Sequence, residues 1–299
     1  MSRKVEILCF TDPFCSWCWA TEPSLLTLRE RYRDQLDIRW VMGGLVKDMS
    51  AFFDSSNNIR TTAEVAPHWR MVSERSGQPI DERLMTDITD PHWSTWPANV
   101  AVKAAMLQSP VVGDRYLRRL RRAALTERVQ VQRQDAQLEL ARQVPGLDLD
   151  AFRRELGGER ATRTFQEDLE LCAAYGVSGF PTMLFRPAAD DSRDTGARGI
   201  LVGGHRSLAT YEQVLAKVAP SLERHQPRQV EALLAEYGPL TTRELSEIFG
   251  KGMADTEQDL RERATHDKII AVELRGGTMW SLPSDATVGL ADPSSRSAA

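Results

Sequence analysis

A C-x-x-C pair near the amino terminus constrains the fold of this 299-residue chain more than any other feature. The run C-S-W-C at residues 15–18 directly follows a short apolar segment, residues 5–10, and a turn-forming T-D-P. The apolar segment is typical of a buried strand, and apolar residues at helical spacing from Trp17 onward predict a helix that ends near Asp34. We therefore expect the two sulfurs to lie at the beginning of a helix.

A dithiol that cycles with a disulfide needs one sulfur that attacks and a second that resolves the mixed disulfide. A helix N-terminus offers free N–H groups and the positive end of the helix dipole to the first sulfur. This environment should lower the pKa of Cys15 below the free-cysteine value of about 8.5. The spacing therefore predicts Cys15 as the nucleophile and Cys18 as the resolving thiol.

Two other uses of the pair stay open: a structural pair of buried thiols, and one half of a zinc site. A closed zinc site needs four ligands, yet the four cysteines include no second C-x-x-C and the five histidines are scattered along the sequence. Redox use is therefore favoured, without a metal or an organic cofactor. Cys9 on the predicted strand and Cys172 on a predicted helix are expected to be small core residues.

The bulk composition argues against nucleic acids and membranes as partners. The formal net charge is -4 and the pI is about 5.8, whereas a nucleic-acid binder needs a basic excess to neutralise phosphates. No run approaches the roughly 18 apolar residues of a membrane span. The first residues lack the apolar stretch and cleavage site of a signal peptide, so a cytoplasmic location is expected.

The order of strand and helix patterns predicts a split α/β domain over residues 1–220. A helical insertion of about residues 60–170 separates an opening β-α-β unit from the strands and helix that follow it. Outside the insertion, strand patterns occur at 36–42, 180–185 and 199–203, a turn-rich segment at 187–198 and a closing helix at 211–218.

Two charged features of this domain are expected to face solvent. The run R-R-L-R-R at residues 118–122 could mark an anion site, but the leucines interleaved with it favour the solvated face of an amphipathic helix. Glu22, four residues after Cys18, could relay a proton to that sulfur, but a surface or helix-capping carboxylate is the favoured interpretation. Neither feature is assigned a function.

A composition change at residues 221–227 predicts a linker to a small second domain at residues 228–283. The third helix of this domain holds at least as many acids as bases, so protein contact or dimerisation is favoured over DNA binding. Residues 284–299 are expected to be disordered. The patterns are three helices and a β-hairpin, the arrangement of a winged-helix-like domain, at 228–237, 241–249, 256–265, 269–274 and 278–282.

Several motifs, taken in order, resemble the DsbA-like branch of the thioredoxin superfamily over about residues 5–220. They are the strand, the turn, the C-x-x-C helix, the helical insertion and the run G-F-P-T at residues 179–182. The run F-T-D-P-F-C-S-W-C-W at residues 10–19 and the E-P that follows are similar to the cytosolic members of this branch, including the FrnE-type oxidoreductases. The resemblance implies a thioredoxin-like α/β fold with a large helical insertion.

This resemblance also implies a site built around the dithiol. Pro181 is expected to be cis and to lie beside the sulfurs, completing a catalytic set with Cys15 and Cys18. Because no histidine lies between the cysteines, unlike in strongly oxidising periplasmic members, the implied activity is that of a reductase or isomerase of protein disulfides. Phe180 should offer backbone groups to a bound peptide, and the implied substrate-binding residues are Phe14, Trp17, Phe180 and Thr182.

The same amino-terminal motifs and the winged-helix-like second domain are also similar to the adaptor proteins that bind the transcription regulator Spx and hand it to the ClpXP protease. In those adaptors the thioredoxin-like fold is a docking surface that needs no catalysis, and the cysteines can be sensors or zinc ligands. Two functions therefore stay open. The favoured one is a cytoplasmic thiol–disulfide oxidoreductase acting on protein or peptide disulfides, and the alternative is a non-catalytic protein-binding adaptor.

Overall fold

The computed structural model of the protein describes residues 4–188 and 199–284. The predicted tail after residue 284 and most of the turn-rich segment 187–198 lie outside the described residues. Within the two described ranges, no helix is both long enough and apolar enough to cross a membrane.

A mixed four-stranded sheet lies at the centre of the region predicted as the first domain, within its described residues 4–188 and 199–220. Its strands are arranged in the order β2 (Leu36–Met42), β1 (Val5–Thr11), β3 (Thr182–Pro187) and β4 (Ile200–Gly203). Strands β1 and β2 are parallel, and the other pairs are antiparallel. Every residue of β1 is buried because both faces of this strand are covered. Burial on both faces explains why its sequence is a largely apolar run.

Helices cover the sheet and form the predicted insertion between β2 and β3. The block from α2 to α8 confirms that insertion. The helices of this domain are α1 (Ser16–Tyr32), α2 (Thr62–Ser76), α3 (Arg83–Asp87), α4 (Trp96–Met106), α5 (Pro110–Glu127), α6 (Gln134–Ala141), α7 (Leu149–Leu156), α8 (Glu159–Ala174) and α9 (Leu208–Val218).

The two faces of β1 contribute to two separate apolar cores, because successive strand residues point to opposite sides. Cys9 packs with residues of α1 and α9 on one face of the sheet. Phe10 packs with Cys172 of α8 on the other face. Both cysteines outside the C-x-x-C pair are therefore buried core residues, as their positions predict.

The arginine run of α5 is buried, so the expected solvated face is wrong. Arg119 is only 6% exposed and Arg121 only 1% exposed. The helix is amphipathic as predicted, but its polar face lies under other parts of the chain. Arg118, for example, donates hydrogen bonds to the backbone carbonyls of Tyr237 and Pro239, which belong to the C-terminal region of the chain.

The C-terminal region, predicted as the second domain and named so below, combines helices with a small antiparallel sheet. The predicted hairpin is present as β6 and β7, and β5 pairs with β7 on the opposite side. Strand β5 has only two residues, which is too short for a recognisable strand pattern. The elements are α10 (Val230–Tyr237), β5 (Leu240–Thr241), α11 (Thr242–Phe249), α12 (Met253–Ala264), β6 (Ile270–Leu274) and β7 (Gly277–Ser281).

Local sequence explains where α11 begins and ends. The Thr241 hydroxyl accepts the Glu244 N–H, and the Glu244 carboxylate accepts the Thr241 N–H, which together form a capping box. Gly250 ends the helix in the left-handed region with φ 64°, a conformation that glycine adopts without steric cost.

The second domain packs directly on the helix that carries the C-x-x-C pair. Helix α11 lies against α1, and Leu26 of α1 is part of the apolar core of the second domain. The Thr241 hydroxyl donates to the Gln78 side chain over 2.6 Å, and this contact is buried. Arg275 in the β6–β7 turn donates to Glu82 over 2.8 Å. Contacts on α1, on α5 and around α2 and α3 therefore fix the second domain in place.

Candidate functional site

Cys15 is the N-cap residue of α1, so the predicted helix start is confirmed. The Cys15 Sγ accepts a hydrogen bond from the Cys18 N–H over 3.2 Å, in the way that a serine or aspartate side chain caps a helix. The preceding turn is held by Asp12, whose carboxylate accepts the Phe14 N–H over 2.8 Å. A strand end, an Asx turn and a helix N-terminus thus position the first sulfur.

The opposite wall of the site is the chain that enters β3. The peptide bond between Phe180 and Pro181 is cis, as the resemblance implies. The Cys15 thiol donates to the Phe180 carbonyl oxygen over 3.5 Å. The structure therefore brings Cys15, Cys18, Phe180 and Pro181 together.

Both sulfurs of the pair are buried, with Cys15 5% and Cys18 2% exposed. Burial raises the pKa of Cys15 well above its ordinary range, and the neighbouring Cys18 adds to this rise. The acidified Cys15 expected from the helix N-terminus is therefore absent, because desolvation outweighs the contribution of the N–H groups.

The surroundings of the second sulfur, on Cys18, have the opposite net effect on its pKa. Burial opposes its ionisation too, but the hydrogen bond from Cys15, the positive charge of Arg121 and the hydroxyl of Thr11 together lower the pKa of Cys18. Ionisation of the resting pair is therefore favoured at Cys18. The catalytic roles predicted for the two sulfurs stay predictions.

A buried ion pair supplies the positive charge beside the dithiol. Arg121 pairs with Glu22 and also donates to Thr11 at the end of β1. Glu22 is 4% exposed and receives a second contact from Arg118 over 3.5 Å, so the expected surface carboxylate is wrong. Sequence reasoning missed Arg121 because this residue reaches the site from α5, far along the chain.

An aromatic and imidazole surface borders the pair on its solvent side. The Trp17 ring stacks on His205 with ring centroids 5.6 Å apart and meets His68 edge-on at 6.4 Å. Nδ1 of His205 lies 3.0 Å from the Thr21 hydroxyl. His68 lies on α2 and His205 in the loop before α9, so their positions in the sequence do not indicate that they are close. Both nevertheless converge on Trp17.

The predicted substrate-binding residues divide into two groups. Trp17 and Phe180 are partly exposed at the site. Phe14 is 2% exposed and packs edge-on against Trp93, while Thr182 is buried and donates to the Gly179 carbonyl oxygen over 2.8 Å. The side chains of Phe14 and Thr182 contact the protein's own core, and a role of these two residues in substrate binding stays a prediction.

The space next to the dithiol is small. A cavity of about 10 Å³ is bordered by Cys18, Pro181 and Arg121, and such a volume matches one water molecule. The two cysteines outside the pair favour the protonated thiol, because burial raises the pKa of Cys9 to about 12 and that of Cys172 to about 11. The described residues include no group of three or more His, Cys, Asp or Glu side chains that could hold a metal ion.

The chain is similar to curated proteins along almost its whole length. The ClpXP adapter protein SpxH of Halalkalibacterium halodurans is 28% identical over 279 residues, which cover 93% of this chain and 89% of that protein. The protein of the same name from Bacillus subtilis is 25% identical over 281 residues, again covering 93% of this chain and 89% of the relative. Coverage this high includes the second domain.

Solved structures match about three quarters of the chain. The cytosolic disulfide reductase DsbM from Pseudomonas aeruginosa superposes with a TM-score of 0.54 at 23% identity, covering 73% of this chain and 98% of that one. A protein from Nitrosomonas europaea, described as a candidate protein disulfide isomerase, gives a TM-score of 0.59 at 22% identity, covering 72% and 97%. At these identities the two structures establish the shared fold.

A family model described as thioredoxin matches residues 8–213, which include the C-x-x-C pair, the helical insertion and most of the first sheet. This range is more than half of the chain. The sequence motifs, the four-stranded sheet and the cis proline facing the dithiol agree with it. The chain therefore belongs to this thioredoxin family.

Proposed function

We propose that this protein is a cytoplasmic protein-binding adaptor that brings a regulatory protein of the Spx type to the ClpXP protease. The similarity to adaptor proteins over 93% of the chain supports this function, since that span includes both domains. The solved structures with disulfide chemistry in their names cover a smaller share, 72% and 73% of the chain.

The observation that carries the proposal is the packing of the second domain on α1. Leu28 of this helix belongs to the core under the sheet, while Leu26 belongs to the core of the second domain. A helix held in two cores is rigid, and rigid elements suit a surface that recognises one partner. A thiol that attacks protein disulfides needs exposure instead, and Cys15 is 5% exposed.

The surface that we assign to the partner is the docking patch, defined as Trp17, Phe180 and His205. These side chains surround the dithiol and are partly exposed. Trp17 is an aromatic anchor whose orientation is fixed by stacking on His205. Aromatic residues held in this way are the usual centres of binding energy in protein interfaces.

The experiment measures how fast purified ClpXP degrades an Spx-type regulator with and without the protein. We expect the protein to accelerate degradation, and Trp17→Ala to weaken regulator binding by about tenfold or more, as loss of an aromatic anchor does. Phe53→Ala is the matched control, because Phe53 is an exposed aromatic residue elsewhere, on the segment between β2 and α2. Absence of both binding and acceleration would refute the adaptor function.

A second candidate is thiol–disulfide exchange. It is favoured by the 3.5 Å contact between the Cys15 thiol and the carbonyl oxygen of Phe180, whose peptide bond to Pro181 is cis. In this reaction a cysteine thiolate attacks a substrate disulfide and expels one substrate thiolate, which takes up a proton. The other cysteine then attacks the mixed disulfide, so the substrate leaves as a dithiol and the pair is oxidised. A small thiol such as glutathione must reduce the pair again.

Turnover of a peptide disulfide with glutathione as reductant tests this candidate separately. Cys15→Ser should abolish the turnover if exchange takes place. Turnover that equals the uncatalysed rate would remove the candidate and leave the adaptor function untouched.

A further inference from the structure

A cleft lies between the two domains, on the later turns of α1 and away from Trp17. Its volume is about 460 Å³, within the range of small-molecule sites. Residues of α1, α5 and α10 line it, together with Trp40 of β2 and the Tyr237–Pro239 segment. The arginines that line it, as far as the chain is described, are Arg29, Arg115, Arg118, Arg119, Arg121 and Arg122.

The arginines of this cleft, named the arginine cleft below, outnumber the carboxylates that form ion pairs with them. Carboxylates contact most of these arginines. Asp114 binds Arg29, and Glu127 binds both Arg119 and Arg122. Glu22 binds Arg118 and Arg121, and Glu244 binds Arg118. Within the described ranges, five of the six arginines thus share four carboxylates. Arg115 contacts only the Pro145 carbonyl there, and Glu236, which also lines the cleft, pairs with Arg228.

One arginine has a donor with no partner. Arg121 is 1% exposed, and its Nε–H donates to no acceptor in the part of the chain that is described. A buried donor without an acceptor costs free energy. Arg122 lies close to other positive charges, since burial and the charges of Arg119 and Arg118 lower its pKa to about 10.

The rest of the cleft suits the organic part of a ligand. The Trp40 ring forms a flat surface under the guanidinium groups of Arg29 and Arg121, which lie 5.7 Å and 5.0 Å from its centroid. Leu26 and Leu234 supply apolar wall from the two domains. Guanidinium groups bind carboxylate and phosphate oxygens through paired N–H donors.

We propose that the arginine cleft binds a small organic anion that carries at least two carboxylate or phosphate groups. The site is independent of the docking patch, and it contacts both domains. Arg121 also lines the small cavity beside Cys18, so an anion on Arg121 would weaken the positive charge that acts on that sulfur. Binding should therefore raise the pKa of Cys18.

Calorimetric titration of the full chain with inorganic pyrophosphate tests the site, with sodium chloride at matched ionic strength as the reference. Citrate forms a second arm, which distinguishes phosphate from carboxylate chemistry. We expect saturable binding of at least one probe, weakened about tenfold by Arg115→Gln and by Arg122→Gln because each loses a charge-assisted contact. Arg154→Gln is the control, since Arg154 is exposed on α7 outside the cleft.

Arg115 is exposed at the rim of the cleft, so its variant should fold normally, which circular dichroism verifies. Saturable binding that Arg115→Gln and Arg122→Gln weaken and Arg154→Gln preserves supports the site. The proposal is wrong if neither probe binds above the chloride reference. It is equally wrong if all three variants weaken binding to the same extent, because the effect then reflects overall charge.

Discussion

The guanidinium of Arg121, on α5, forms a buried ion pair with Glu22, on α1, one helical turn after Cys18. The same guanidinium donates to Thr11 at the end of β1. The charge that acts on the dithiol therefore comes from the helical insertion. Because Glu22 also contacts Arg118, which holds backbone carbonyls of the second domain, one network connects the dithiol, the insertion and the second domain.

Removal of Arg121 should destabilise the whole fold. Without this residue the buried Glu22 loses its ion pair with Arg121, and breaking a buried pair costs about 3–5 kcal/mol. We expect Arg121→Met to lower the free energy of unfolding in urea by about this amount. Arg142→Gln, which breaks an exposed pair with Glu139, should change it by less than about 1 kcal/mol. Equal stability of wild type and Arg121→Met would contradict the buried pair.

Cys18 should lose its proton before Cys15 when the pH is raised. Burial raises the pKa of Cys15, whereas the Cys15 hydrogen bond, Arg121 and Thr11 lower that of Cys18 against its burial. In a pH titration followed by thiolate absorbance, Cys18→Ser should remove the first step. Cys15→Ser should keep that step, because a serine hydroxyl donates the same hydrogen bond. The reverse order would show that the helix N-terminus dominates.

The position of the Phe180 ring should depend on the lack of a side chain at Gly43. A Cβ there would lie 1.9 Å from Phe180 Cζ, so Gly43→Ala must displace the ring. We expect the displaced docking patch to bind the regulator about tenfold more weakly while the fold persists. Gly179→Ala is the matched control, because a Cβ at Gly179 meets no atom within 4 Å. Equal affinity of the two variants would exclude Phe180 from the interface.

Acid should weaken the contact between the second domain and the loop before α3. The hydrogen bonds from Arg275, reinforced by Arg70, lower the pKa of Glu82 from 4.5 to about 2. A carboxyl with a depressed folded-state pKa contributes stability above its unfolded value, and this contribution is lost as the pH falls through the folded value. The stabilising effect should thus be complete above about pH 4.5 and lost towards pH 2.

The measurement compares the free energy of unfolding of wild type and Glu82→Gln as the pH is lowered. The difference between the two proteins should shrink over this range, because protonated Glu82 resembles glutamine. A difference that stays constant with pH would show that Glu82 and Arg275 do not stabilise the fold through charge.

The features that the sequence predicted well are local in the chain. The β1-α1-β2 unit, the position of Cys15 at a helix start and the second-domain hairpin depend on residues close in sequence, where periodicity and capping act. The electrostatics of the dithiol depend on Arg121, which no local pattern connects with Cys18. The direction of the pKa shift of Cys18 could not be predicted from the sequence, because it depends on how α5 packs on α1.

The arginine cleft shows the same limit. The leucines of residues 117–125 correctly indicated an amphipathic helix. Whether its other face meets solvent depends on the placement of the second domain, whose Tyr237 and Pro239 carbonyls accept hydrogen bonds from Arg118. A charge pattern on a helix therefore predicts a polar face but does not tell what covers that face.

The most direct test of the adaptor function is the rate at which ClpXP degrades the regulator in the presence of a protein that carries both Cys15→Ser and Cys18→Ser. We expect this variant to accelerate degradation as well as the reduced wild type does, while any disulfide turnover is lost, because a docking surface does not need the sulfurs. Loss of the acceleration in a correctly folded variant would contradict the adaptor function as proposed and make thiol chemistry essential.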